Sequence, residues 1–198
     1  MKRIASYAKY AASIGADAVQ VMLPGYGDTD TLFAHFKAVA SAIRKPLVLH
    51  GQASFELLAR LISIESLAAF KEEYPPLYTV QVFHDYGDRL NIFGGGGKSR
   101  AIQYRPYGMK AYYSAFSTFA LPIAMGFWEA LRTDDFAAAR RIESRYEVPY
   151  RKHFSHAWWR ATLEHFGLAK RYLRPPERFF SDREMAQVRE FYSEMGLG

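Results

Sequence analysis

Four times before residue 95, a segment with helical periodicity gives way to a short apolar run that stops at Pro, His, Lys or Gly. Residues 2–14 read as a helix ended by Gly15, and 17–23 as a buried strand stopped by Pro24-Gly25. Leu32, Phe33, Phe36, Val39, Ala40 and Ile43 then recur on one helical face behind a cap at Asp28 or Thr29. Strand 46–50, a helix from Ser54, strand 67–71, a helix opened by Pro75-Pro76 and strand 89–93 complete the series. Residues 111–115 could form a fifth strand. Alternation of this kind is the pattern of parallel β/α units, and right-handed crossovers permit either an open sheet or a section of a barrel. Beyond residue 119 only helical signals follow, near 119–131, 134–146, 150–166 and 182–195.

The 198 residues suffice for one sizeable core, with 49% hydrophobic and 23% charged residues. No cysteine is present, which excludes disulfides, thiolate metal sites and cysteine nucleophiles. Neither a signal-peptide core nor an apolar run of about 20 residues is visible, so a cytoplasmic protein without a membrane span is expected. The net charge of +6 raises the question of an anionic partner. The excess basic residues after 138 alternate with acidic and aromatic ones at helical spacing, as on solvated helix faces, and no nucleic-acid partner is expected.

In parallel β/α folds the chemistry gathers at the C-terminal ends of the strands. This rule selects Tyr26, His50, Lys71, the run Gly94, Gly95, Gly96 and Gly97, and Tyr113 with Ser114. Lys71 is the sharpest candidate. An amine above the apolar strand Leu67-Ala-Ala-Phe70 would be desolvated, which favours the neutral form that attacks a ketone, and the resulting protonated imine withdraws electrons from the adjacent carbon. The same residue, with Glu72 and Glu73, also fits the start of a solvated loop. Tyr26 offers a phenol that can donate and accept a proton. The glycine run before Lys98-Ser99 suggests a phosphate cradle, but a phosphate-loop motif ending there needs glycine at position 92, where Ile92 stands. The run remains able to admit a substrate close to the backbone or to serve as a flexible connection. The six histidines form no metal set, since His153-x-x-His156 lacks the spacing that places two imidazoles on one helical face. Neither a metal nor a cofactor is expected.

Read in order, Gly15-Ala-Asp-Ala18, Val21-Met-Leu-Pro-Gly-Tyr26, His35-Phe36, Pro46-Leu-Val-Leu-His50 and Phe70-Lys71-Glu72 resemble consecutive blocks of the dihydrodipicolinate synthase and N-acetylneuraminate lyase family. Ala111-Tyr-Tyr-Ser-Ala115 and Arg174-Pro-Pro176 are similar to its 5-dehydro-4-deoxyglucarate dehydratase branch. The resemblance implies a (β/α)8 barrel of the class I aldolase type lacking its first three strands, with strands equivalent to four through eight over 1–118. The last barrel helix and a C-terminal helical extension would occupy 119–198 of the same domain. It implies Schiff-base lyase or aldolase chemistry on pyruvate or a related 2-oxo acid, or dehydration through the same imine. Lys71 would form the imine and Tyr26 relay a proton, while His50, Gly94 to Gly97, Tyr113 and Ser114 contact substrate. Gly25 in place of a first tyrosine, and Leu49-His50 in place of Leu-Tyr-Asn, leave the specificity open. The absent strands imply a homo-oligomer, a complementing N-terminal segment, or a catalytically incompetent assembly module.

Overall fold

The computed structural model describes residues 2–198. It divides into two compact units, one comprising the chain up to Gly96 with Gln103–Tyr113, the other Gly97–Ile102 with Ser114–Gly198.

In the first unit α1 (Lys2–Ser13), β1 (Val19–Met22), α2 (Thr29–Ile43), β2 (Leu47–His50), α3 (Phe55–Leu61), β3 (Leu67–Glu72), α4 (Pro76–Tyr86) and β4 (Asn91–Gly94) follow one another. The strands form a parallel sheet in the order β1-β2-β3-β4. The expected α/β class with a parallel sheet is therefore observed. Local chemistry explains the boundaries. Asp28 caps α2 by accepting from the Thr31 N–H at 2.7 Å, and Ser54 caps α3 by accepting from Leu57 N–H at 3.1 Å. Pro76 opens α4, where its missing N–H costs nothing. Ser54→Ala is expected to lower stability by about 1 kcal/mol, read as a shift of the denaturation midpoint.

The register decides which side chains share a face. Met22 pairs with His50, His50 with Lys71, and Lys71 with Phe93. Successive strand residues point to opposite sides. Val21, Leu49, Phe70 and Ile92 therefore form the buried face, at 3%, 0%, 0% and 2% exposure. The other face carries Gln20, Met22, His50, Lys71 and Phe93.

The expected fifth strand is reduced to one parallel bridge between Gly94 and Tyr112. Gly94 N–H donates to Ala111 O at 3.0 Å and Tyr113 N–H to Gly94 O at 2.6 Å. The ladder stops there because Ser114 O already accepts from Ser117 N–H, at the turn into the next helix.

A helix absent from the sequence expectation, α5 (Lys98–Tyr104), starts in the second unit and ends in the first. The second unit otherwise consists of α6 (Phe116–Phe119), α7 (Leu121–Arg132), α8 (Phe136–Ile142), α9 (Val148–His153), α10 (His156–His165) and α11 (Met185–Glu194). A π-helical turn, Glu143–Glu147, joins α8 to α9. Phe116, Tyr150, Trp158, Val188, Phe191 and Tyr192 make its core. Among the described residues, no helix is long and apolar enough to cross a membrane.

Just before α11, Glu184 accepts from Ser181 N–H at 2.8 Å and from Arg178 at 2.6 Å. The Arg178 hydrogen bond, then those of Ser181, pull its carboxyl down to about 2. A depressed carboxyl stabilises the fold only while ionised. The difference in melting temperature between the native chain and Glu184→Gln should be constant above pH about 4.5, and should vanish as pH falls toward 2.

Candidate active site

The face shared by Gln20, His50 and Lys71 brings together a connected polar cluster at the C-terminal strand ends. Lys71 follows the buried Phe70, and its side chain is 15% exposed. Its amine is ion-paired rather than solitary, with Nζ 3.1 Å from Glu73 Oε1. The other carboxylate oxygen, Oε2, lies 2.9 Å from His50 Nε2, and His50 Nδ1 lies 3.2 Å from Gln20 Nε2. The Tyr113 ring, tilted against Phe93 with centroids 5.5 Å apart, offers its face to Lys71 Nζ at 5.2 Å.

Glu73 and Gln20 were not among the residues selected from the sequence. Strand periodicity held the signal for both, since Glu73 stands two residues after Lys71 and Gln20 two before Met22, the partner of His50. Glu72, one residue from Lys71, turns to the opposite face and is fully buried. There it accepts from Thr79 Oγ1 at 2.7 Å and Tyr74 N–H at 2.9 Å, fixing the start of α4.

Burial pushes the Glu73 carboxyl up, but hydrogen bonds from His50 and Lys71, with their charges, outweigh it and set it below its ordinary value. Tyr74 is raised to about 12, by burial first and then by the charges of Glu73 and Glu72, so its phenol stays protonated near neutral pH.

Tyr26 lies elsewhere. It is 86% exposed on the turn after β1, in a depression shared with Pro24, Asp28, Gly51 and Ser54. Of the glycine run, Gly94, Gly95 and Gly96 belong to the first unit, and Gly97 to the second with Ser114. The space beside these glycines is occupied by the protein's own side chains. A Cβ on Gly95 would sit 2.4 Å from Glu73 Cγ and Oε1, and one on Gly97 2.0 Å from Glu147 Oε1.

In the second unit Lys98 is fully buried, with Nζ 3.0 Å from Glu147 Oε2 and 3.3 Å from Ser114 Oγ. Ser99 Oγ donates to Glu143. Both residues after the glycine run are thus committed to internal carboxylates. A further cleft, lined by Phe33, Lys37, Arg44 and Glu65, lies at the opposite strand ends, where Pro46 and Ser66 precede β2 and β3. Among the described residues, no group of three or more His, Asp or Glu side chains could hold a metal ion.

A model of the "Dihydrodipicolinate synthetase family" matches residues 2–194. The "Probable 5-dehydro-4-deoxyglucarate dehydratase" of Delftia acidovorans is 27% identical over 74% of this chain and 52% of its own length. The "4-hydroxy-tetrahydrodipicolinate synthase" of Methylobacterium radiotolerans is 29% identical over 70% of this chain and 49% of its own. The crystal structure of dihydrodipicolinate synthase from Aquifex aeolicus superposes with a TM-score of 0.85 at 20% identity, over 98% of this chain and 70% of that one. At that identity it shows the fold alone. The chain spans about half the length of the two curated relatives.

Proposed function

This chain belongs to the dihydrodipicolinate synthetase family, and on that premise we propose that Lys71 forms an imine with pyruvate or a related 2-oxo acid and directs lyase or aldolase chemistry. The observation that carries this reading is a partly buried amine at the C-terminal end of a parallel strand, in one polar cluster with His50 and within reach of the Tyr113 ring. The chemistry calls on no cofactor, because the protonated imine is itself the electron sink.

In this reading His50 and Tyr113 contact the substrate on the sheet face, and Gly94, Gly95 and Gly96 complete its surroundings. Tyr26 relays a proton in the bond-breaking step that follows imine formation. The sheet is the part of a (β/α)8 barrel equivalent to strands four through eight, and the single Gly94–Tyr112 bridge supports counting a fifth strand. A second copy or a complementing segment would cover the β1 side, a role supported by Met22 at 65% exposure. Dehydration of a sugar acid through the same imine is the second reading, favoured by the relative named as a probable dehydratase.

The test is borohydride reduction of the purified chain in the presence of pyruvate, read by intact mass and peptide mapping. A covalent adduct on the Lys71 peptide is the expected result. A folded chain that takes up none overturns the reading and leaves a non-catalytic assembly role in its place.

A further inference from the structure

An imine-forming lysine needs a partner that moves protons, because the amine must lose them and the departing oxygen must gain them. Tyr26, 86% exposed on its turn, has no described contact with Lys71. Glu73 does. One oxygen lies 3.1 Å from Lys71 Nζ, within direct proton-transfer distance, and the other is held by His50. The orientation of that hold follows from donor chemistry. A carboxylate oxygen can only accept, so His50 Nε2 donates to Glu73 Oε2, and the Gln20 amide lies 3.2 Å from Nδ1 on the other side of the ring. The imidazole thus fixes the carboxylate and leaves Oε1 for the lysine.

An independent feature of the backbone agrees. The N–H of Gly95 donates to Glu72 O at 2.7 Å, which draws the turn after β4 against the end of β3. Any Cβ at position 95 would overlap Glu73 at 2.4 Å. The close approach is feasible because residue 95 is glycine, and the room is taken by the Glu73 carboxylate.

We propose that Glu73 is the proton shuttle of imine formation at Lys71, with His50 and Gln20 as positioning residues for its carboxylate. This rests on the imine reading of Lys71. The step balances without any added reagent. The ammonium of Lys71 begins with three protons, and the carbonyl oxygen of the 2-oxo acid begins with none. Glu73 takes one proton from Nζ, the amine adds to the carbonyl carbon, and the carboxylic acid returns that proton to the oxygen. A second proton follows the same route as the carbon–oxygen bond breaks, the oxygen leaves as water, and the third stays on the iminium nitrogen. Glu73 ends ionised, as it began. The groups facing its carboxylate are Lys71 and His50, with Tyr74 and Glu72 nearby in charge. Tyr74, raised to about 12, does not compete as a base near neutral pH.

The test measures the rate at which pyruvate becomes trappable by borohydride on the full chain, by timed reduction and intact mass. Native chain, Glu73→Gln, Glu73→Ala and His50→Phe are compared from pH 3 to 9. Glu73→Gln should slow trapping at pH 7 by about 100-fold or more, the usual contribution of a general acid-base group. Formate should restore part of the rate to Glu73→Ala in proportion to its concentration. The sign separates this from a merely electrostatic role, since removing a negative partner alone would release the amine and speed trapping. His50→Phe removes a hydrogen bond that lowers the Glu73 carboxyl, so the acid limb of the rate profile should move to higher pH.

Trapping in Glu73→Gln as fast as in the native chain, or indifference of Glu73→Ala to formate, overturns the shuttle while leaving the imine intact. An unmoved acid limb in His50→Phe removes the positioning role. No adduct in the native chain overturns the imine reading itself and the shuttle with it.

Discussion

Glu147→Ala is expected to destabilise the second unit by about 3–5 kcal/mol, the cost of removing one partner of a buried ion pair. Lys98 is fully buried and the Glu147 side chain is 7% exposed, so water cannot replace either partner. Glu147 serves twice. Oε2 meets Lys98 Nζ at 3.0 Å, while Oε1 accepts the Lys98 backbone N–H at 2.9 Å and supplies the cap that α5 lacks locally. Burial pulls the Lys98 ammonium down, and the Glu147 charge and hydrogen bond oppose it. With Glu147 gone, the amine keeps Ser114 Oγ at 3.3 Å and the Phe116 ring at 4.1 Å, which do not neutralise a desolvated charge. The double variant Lys98→Met, Glu147→Leu should recover most of the loss, because a packed apolar pair avoids the desolvation of both charges. Urea denaturation of the two variants checks this. A loss below about 1 kcal/mol in Glu147→Ala would show that the pair contributes little.

The same pair shows where local sequence stops informing. The β/α series was readable because each element ends on its own chemistry. Asp28 and Ser54 cap as their positions suggest, and β2 and β3 coincide with apolar runs between breakers. The start of α5 gave no such signal. Its capping carboxylate comes from a residue 49 positions away, reached through the π-helical turn that directs Glu143 and Glu147 inward together. At 111–115 the composition suits a strand, but only Tyr112 completes a bridge before the chain turns into α6.

The candidate site divides along the same line. Lys71 and His50 were legible as strand ends, and the register sets them side by side. Glu73 looked like part of a solvated acidic start to a loop. Its contact with His50 spans 23 residues and needs β2 and β3 to be paired, and its accommodation needs glycine at 95. The relation between the glycine run and the acidic residues emerges only when β4 lies next to β3.

Lys71→Arg and Lys71→Ala should both reduce the pyruvate adduct to the level of a sample without pyruvate. Arginine is the more telling replacement. It keeps a cation for Glu73 and a stem of similar length over Phe70, yet its guanidinium stays protonated and forms no imine under these conditions. The melting temperature of Lys71→Arg should stay close to that of the native chain, so loss of adduct cannot be assigned to loss of fold. Lys71→Ala should cost no more than about 1 kcal/mol, since the Lys71–Glu73 pair is partly open to solvent, at 15% and 32% exposure. Peptide mapping decides between the two lysines that the strand ends and the glycine run present. Lys98 has no accessible surface and its amine is held by Glu147, so a ketone cannot approach it without unfolding its surroundings. Lys71 is reached from the sheet face, beside the Glu73 carboxylate. An adduct on any other lysine, or one that persists in Lys71→Arg, would remove Lys71 from the chemistry and with it the reason for the Gln20–His50–Glu73 alignment.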